Sequence, residues 1–230
     1  ATLRTLAGFG DSLMLVVPSD HEISTVRQFW QSVEAGAAVA REGRLVVFGI
    51  RPMQPETGYG YIEVAADRNG IFDVSRFVEK PDLATAQRYV DAGNFYWNTG
   101  IFLFRASAMR DAFRAYQPAN WEAVEASFEA ATSDLSGLYM PIELYSAVPS
   151  ISIDYAIMER AERIAMVPAS FRWNDLGSWQ SLLDIGAADE NGNVIRGDVV
   201  AIDCENSYIR SEGRLLSAIG LKDVAIVSFA

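Results

Sequence analysis

Apolar positions come in short blocks whose spacing switches between strand-like and helix-like periods. Residues 13–17 form an unbroken apolar run that stops at Pro18-Ser19-Asp20-His21, the mark of a buried strand whose carboxyl end opens into a polar loop. Val26, Phe29, Trp30, Val33 and Ala37 then recur every 3.6 residues behind a capping candidate, Ser24, which predicts an amphipathic helix. A second apolar run at 45–50 follows. This strand, helix, strand order predicts a βαβ crossover and a parallel sheet with helices on its faces.

The middle of the chain changes period. Residues 61–64 and 72–79 flank Asp67-Arg68-Asn69-Gly70 and read as a hairpin, which makes the sheet mixed. Asp82 can cap a helix over 83–92 that Gly93 stops, and a strand follows at 100–104. Helices are expected at 109–116 and 121–131, then a polar loop, a short helix at 153–161 and a strand at 165–168. From Gly192 onward only short β runs remain, at 194–203, 207–210, 215–219 and 224–228, broken by Gly, Asn and Asp. They could open a β-helical coil. The expected division is an α/β domain at 1–187 and a small β-rich segment at 188–230.

Composition narrows the function. A chain of 230 residues with 50% apolar content can bury a substantial core. Its 19 Lys and Arg against 30 Asp and Glu give a net charge of -11, the wrong sign for a nucleic-acid binder, although a few placed cations and a divalent metal can still hold a nucleotide's phosphates. The single cysteine, Cys204, cannot form an internal disulfide, and the single His21 excludes a multi-histidine metal centre. No apolar run approaches the roughly 18–20 residues that cross a bilayer. A cytoplasmic protein that engages neither nucleic acid nor membrane is expected.

Polar residues at strand ends are the candidates for chemistry, because open α/β sheets bind ligands there. Asp20 follows the first strand, and Asp175 sits in Trp173-Asn174-Asp175-Leu176-Gly177-Ser178-Trp179 before a turn. Two carboxylates brought together could share one Mg²⁺, with phosphate oxygens completing its shell; taken singly, an Asp before a helix is more often a cap. Thr57-Gly58-Tyr59-Gly60-Tyr61 could admit a ligand close to backbone, or be a plain turn. In Phe77-Val78-Glu79-Lys80-Pro81 the two charged side chains reach one ligand only if the strand bends, Glu79 accepting from sugar hydroxyls and Lys80 pairing with a phosphate; a solvated edge fits the pattern equally. Asn98, in Tyr96-Trp97-Asn98-Thr99-Gly100, can donate and accept, which suits a sugar diol or a turn. His21 reads as a structural hydrogen-bonding residue.

Together these motifs, with Ser152-Ile153-Asp154-Tyr155-Ala156-Ile157-Met158-Glu159 and Gly192-Asn193-Val194, stand in the order found in the mannose-1-phosphate guanylyltransferases. The sequence resembles that family over essentially its whole length, especially the bacterial type often fused to a phosphomannose isomerase domain. The resemblance implies a nucleotide-diphospho-sugar transferase (Rossmann-like) fold, with a mixed sheet and helices on both faces. It implies transfer of GMP from GTP to mannose 1-phosphate, giving GDP-mannose and pyrophosphate with Mg²⁺ as cofactor. Carried over by motif, Asp20 and Asp175 become metal ligands and, with Lys80, catalytic residues. Gly58, Tyr59, Gly60, Glu79, Lys80 and Asn98 become substrate-binding. The family's N-terminal Gly-rich loop, with its Arg and Lys, has no counterpart here. The chain is therefore expected to be a piece of a longer protein lacking the first strand of its sheet, or a copy that has lost catalysis and only binds sugar nucleotide. A sister enzyme for another sugar 1-phosphate is a further reading. The β-rich tail could pack on the catalytic domain or on a second subunit of a homodimer.

Overall fold

The computed structural model describes residues 1–135 and 137–229. The first half contains α1 (Thr2–Phe9), β1 (Leu13–Val16), β2 (Glu22–Ile23), α2 (Val26–Arg41), β3 (Leu45–Ile50), β4 (Tyr61–Arg68), β5 (Ile71–Val78), α3 (Leu83–Ala92) and β6 (Phe95–Arg105). Next come α4 (Ala106–Tyr116), α5 (Pro118–Glu129), a small hairpin of β7 (Thr132–Ser133) and β8 (Leu138–Tyr139), α6 (Ile142–Tyr145), and a π-helical turn, Asp154–Met158. The remainder holds β9 (Ile164–Pro168), β10 (Trp173–Asn174), α7 (Trp179–Ile185), β11 (Val194–Arg196), β12 (Val199–Ile202), β13 (Tyr208–Ser211), β14 (Leu216–Ile219) and β15 (Ala225–Ser228).

Packing divides the chain into two units. One is Ala1–Pro18 with Thr25–Arg172, the other Ser19–Ser24 with Trp173–Ala230. The change of composition near residue 187 falls inside the second unit, between α7 and β11.

In the larger unit six strands form a mixed sheet in the order β1-β6-β3-β9-β5-β4, with β4 also pairing to the start of β6. The expected crossover from β1 through α2 to β3 exists, but the two strands do not touch: β6 lies between them, antiparallel to both. Its near-continuous apolar run, Phe95 to Phe104, suits a strand covered on both faces, and its eleven residues are long enough to pair with β4, β3 and β1 in turn. The parallel partner of β3 is β9 instead.

Helices cover both faces. Gly36 of α2 sits so close to the sheet that an added Cβ would stand 3.1 Å from Val46 and 3.4 Å from Leu103. On the opposite face Met109 and Ala112 of α4 and Ala156, Ile157 and Met158 of the π turn pack on Val47, Tyr96, Phe102, Phe104 and Met166. Each fully buried Val, Ile, Phe or Met among them contributes on the order of 1.5–3 kcal/mol.

Local signals fare unevenly. The hairpin between β4 and β5 turns on Asn69 and Gly70, both at positive φ, as a tight hairpin requires. Asp82 caps α3 by accepting from Thr85 N at 2.7 Å, and Gly93 ends it in the left-handed region. At α2 the expected cap is different. The N-cap residue is Thr25 rather than Ser24, and its hydroxyl accepts instead from the backbone N–H of Arg172 at 2.8 Å.

In the smaller unit β11, β13 and β15 stack in parallel and in register, as do β12 and β14, forming coils with a core of Cys204, Ile209 and Ala218. Buried Asn193 ties successive coils together, donating to the Cys204 carbonyl at 2.7 Å and accepting from Ser207 N at 3.1 Å. Among the described residues no helix is long and apolar enough to cross a membrane.

Candidate functional site

Four segments of the larger unit meet around Glu79. Tyr61 of β4 pairs with Val78 of β5 and with Trp97 of β6, so Gly60 and Glu79, each just beyond a strand end, lie level with Asn98 inside β6. Asn98 N donates to the Gly60 carbonyl at 2.8 Å. A Cβ on Gly60 would stand 2.5 Å from Oε2 of Glu79 and 3.4 Å from Cβ of Asn98, so glycine here makes the room that the carboxylate occupies.

The bend needed at Glu79-Lys80 is present. Lys80 has φ 47, a left-handed turn ahead of Pro81, and its Nζ comes 3.7 Å from Oε1 of Glu79. Glu79 keeps 13% of its side-chain surface exposed while Lys80 keeps 62%: a sheltered carboxylate lies beside a cation that reaches solvent.

Asn98 is aimed by its own surroundings. Between β3 and β6 the register shifts, with Gly49 opposite Asn98 but Val47 opposite Phe102, so Thr99-Gly100-Ile101 bulge out across from Phe48. Gly100 takes φ 69 to make the bulge, and Thr99 closes it by donating to the Phe48 carbonyl at 2.9 Å. The Asn98 Oδ1 accepts from Gly100 N at 3.1 Å, and its Nδ2 donates to Oδ1 of Asp154 at 3.2 Å. Among the described residues one amide hydrogen and one lone pair are left for a ligand.

Asp154, at the start of the π turn, escaped the sequence reading as a site residue. Its signal was there: it is the lone charge inside the apolar run Ile153 to Met158. Burial pushes its carboxyl above the ordinary aspartate range, against the pull of a backbone hydrogen bond, the Asn98 amide and the Lys80 charge. Glu79 is pushed up as well, first by burial and then by the negative charge of Asp154, with Lys80 opposing and Glu159 adding a little. Two carboxyls with raised pKa, an oriented amide and an exposed cation form a polar cluster suited to hydroxyls beside an anionic group.

The turn before β4 divides its residues. Gly58 is exposed, and a Cβ there would meet nothing within 4 Å. The Tyr59 ring packs edge-on against Trp97 at 5.3 Å, within the cluster of Tyr61, Ala86 and Phe95 rather than on the Asn98 side of β6.

Asp20 and Asp175 both belong to the smaller unit. There β2 and β10 pair antiparallel, Ile23 opposite Trp173 and Glu22 opposite Asn174, so one further step brings His21 opposite Asp175. Neither aspartate is a helix cap: α2 starts after Thr25, and α7 is capped by Ser178, whose hydroxyl accepts from Ser181 N at 3.1 Å. A tight turn holds Asp175, with Leu176 at φ 55 and Oδ1 accepting from Gly177 N at 3.0 Å. A Cβ on Gly177 would lie 2.7 Å from Asp175 Oδ2, so a side chain at residue 177 would displace the carboxylate. Among the described residues no group of three or more His, Cys, Asp or Glu is disposed to hold a metal ion.

Residues 1–192 match the family model described as Nucleotidyl transferase. The chain belongs to the nucleotidyl transferase family. Within that family it is 45% identical over 99% of its length to the xanthan biosynthesis protein XanB of Xanthomonas campestris pv. campestris, covering 48% of that protein. It is 43% identical over 94% of its length to the mannose-1-phosphate guanylyltransferase of Escherichia coli K12, covering 46% of it. The chain thus spans about half the length of the curated relatives it matches. The crystal structure of mannose-1-phosphate geranyltransferase from Thermus thermophilus superposes with a TM-score of 0.87 at 30% identity, over the whole chain and 66% of that structure. The chain carries its acid-and-amide cluster on the mixed sheet that the resemblance implied.

Proposed function

We propose that the protein transfers GMP from GTP to mannose 1-phosphate, giving GDP-mannose and pyrophosphate. The observation that carries this reading is the Glu79, Asn98, Asp154 and Gly60 cluster with Lys80 at its rim, in a family of nucleotidyl transferases whose relatives include a mannose-1-phosphate guanylyltransferase. Glu79 and the free half of the Asn98 amide bind mannose hydroxyls, and the exposed backbone at Gly58, with Gly60 behind it, approaches the sugar. Tyr59 supports that turn through Trp97. Lys80 pairs with phosphate oxygens.

The sugar phosphate oxygen attacks the α-phosphorus in line, forming a new P–O bond while the bond from the α-phosphorus to the bridging oxygen breaks and pyrophosphate leaves. The acceptor is already an anion at neutral pH. No protein nucleophile is needed, and catalysis reduces to positioning and charge neutralisation. Asp20 and Asp175 are the residues that would hold a divalent cation, Mg²⁺; both are hard carboxylate donors, which suit that ion, and they are carried by the segments that pair through β2 and β10. When bound, the ion supplies positive charge to phosphate oxygens.

The test is pyrophosphate release by the full-length protein that carries these residues, from GTP with mannose 1-phosphate and with a panel of other sugar 1-phosphates. Release with mannose 1-phosphate supports the proposal. Binding of GDP-mannose without release would make the protein a silent sugar-nucleotide binder, and release only with another sugar would make it a sister enzyme.

A further inference from the structure

The two aspartates assigned to the cation are not held equally. Asp175 sits in a turn closed by two local bonds, Leu176 N to Asn174 Oδ1 at 2.8 Å and Gly177 N to its own Oδ1 at 3.0 Å. Asp20 lies two residues before β2, is exposed, and its carboxylate makes neither a hydrogen bond nor an ion pair among the described residues. The ladder joining the two segments is only two residue pairs long, too short to define their spacing firmly.

A side-chain contact supplements it. The indole N–H of Trp173 donates to Nδ1 of His21 at 3.1 Å, between residues 152 positions apart in sequence. The rings meet edge to face, 5.3 Å between centroids at 78°. Indole nitrogen can only donate, so Nδ1 must be the acceptor, and the imidazole proton sits on Nε2. His21 and Trp173 are diagonal neighbours across the antiparallel pair, within reach of large side chains. His21 adjoins Asp20 in the chain, and Trp173 is two residues before Asp175.

We propose that the Trp173–His21 hydrogen bond is a clasp that positions Asp20 against the Asp175 turn, making His21 and Trp173 positioning residues for the divalent cation. The inference rests on the assignment of Asp20 and Asp175 as the cation's ligands. It also explains the lone histidine chemically. The position needs a planar acceptor that reaches across the ladder to an indole N–H, which a leucine or phenylalanine cannot supply.

Manganese(II) binding to the full-length protein without nucleotide, followed by electron paramagnetic resonance, tests it. Asp175→Asn in the same titration reports on the ligand assignment alone. Trp173→Phe keeps the ring and deletes the donor, and His21→Leu deletes the acceptor; each should weaken manganese binding about 10- to 100-fold, as loss of a supporting hydrogen bond at a metal site does. His21→Asn retains an acceptor near the Nδ1 position and should restore affinity to within about threefold of wild type, far less than the supporting bond is worth. The double variant Trp173→Phe/His21→Leu should be no worse than either single change, since both break one bond. In turnover assays the clasp variants should raise the metal concentration needed for half-maximal rate and leave the rate at saturating metal near wild type.

If wild-type binding is not weakened by Asp175→Asn, the ligand assignment fails and the clasp's role falls with it. If Asp175→Asn weakens binding but Trp173→Phe and His21→Leu, with unchanged melting temperatures, bind manganese like wild type, the assignment stands and the clasp is refuted. Failure of His21→Asn to rescue affinity would also refute it.

Discussion

Gly60 and Glu79 compete for one volume: a methyl group on Gly60 would stand 2.5 Å from the Glu79 carboxylate oxygen, and the next nearest atom, Cβ of Asn98, lies at an ordinary contact distance of 3.4 Å. The colliding atom is the end of a side chain, not backbone. Gly60→Ala should therefore leave the fold intact and displace Glu79. The expected result is a melting temperature within a few degrees of wild type, with kcat/KM for the sugar phosphate down on the order of 10²-fold, the loss a displacement of about 1 Å can bring. Steady-state kinetics beside a thermal melt checks both halves.

Asp154 and Asn98 allow a pH prediction. The folded-state pKa of Asp154 is raised, chiefly by burial, so its stabilising protonated form persists below the ordinary aspartate range and is lost as pH rises through the elevated value. Asp154→Asn mimics the protonated form and still accepts from Asn98. It should melt like wild type in acid and several degrees higher at neutral pH, flattening the stability profile. Removing the Asp154 charge should also lower the Glu79 pKa, since that charge is the second cause of its rise after burial. Thermal melts across the acid-to-neutral range, with carboxyl titration by nuclear magnetic resonance, read out both effects.

What the sequence disclosed follows how locally each feature is determined. The β4–β5 turn and the caps of α3 depend on a few adjacent residues, Asn69-Gly70, Asp82 and Gly93, whose backbone preferences leave little choice. The bend at Lys80 was legible as a condition, because Glu79 and Lys80 cannot otherwise share a ligand. By contrast, β6 separating β1 from β3 depends on which long apolar strand wins the central position, and no residue in β1 or β3 announces it. The same holds for Asp154, whose relation to Asn98 spans 56 positions, and for His21, whose partner is 152 positions away.

Lys80 contributes to the cluster by charge more than by contact, since it is exposed and 3.7 Å from Glu79. Lys80→Met keeps the length of the side chain and removes the cation. Turnover should fall about 10²- to 10³-fold, the range for loss of one group facing developing charge. The Glu79 and Asp154 carboxyls should titrate higher, because the Lys80 charge lowers both. Ammonium ions supplied in solution should recover only a small part of the rate, as a free cation lacks the placement given by the left-handed turn at residue 80.

The coils of the smaller unit carry a prediction independent of any assigned activity. Gly197 joins β11 to β12 at φ 83, where a side chain is disfavoured, and a Cβ there would run into the backbone carbonyl oxygen of Ser211 on the neighbouring coil. Unlike the carboxylate beside Gly60, that carbonyl cannot swing aside, because Ser211 is the last residue of β13 and pairs with Ser228 of β15. Gly197→Ala combines backbone strain of about 1–3 kcal/mol with a clash that must separate two stacked strands. The coil should therefore loosen while the larger unit's sheet stays formed. Amide hydrogen exchange tests this directly: protection should drop at Ile209 and Ile226, which pack together in the coil core, and stay unchanged at Val47 and Phe102. Uniform loss of protection in both units would mean that the coil and the sheet unfold as one.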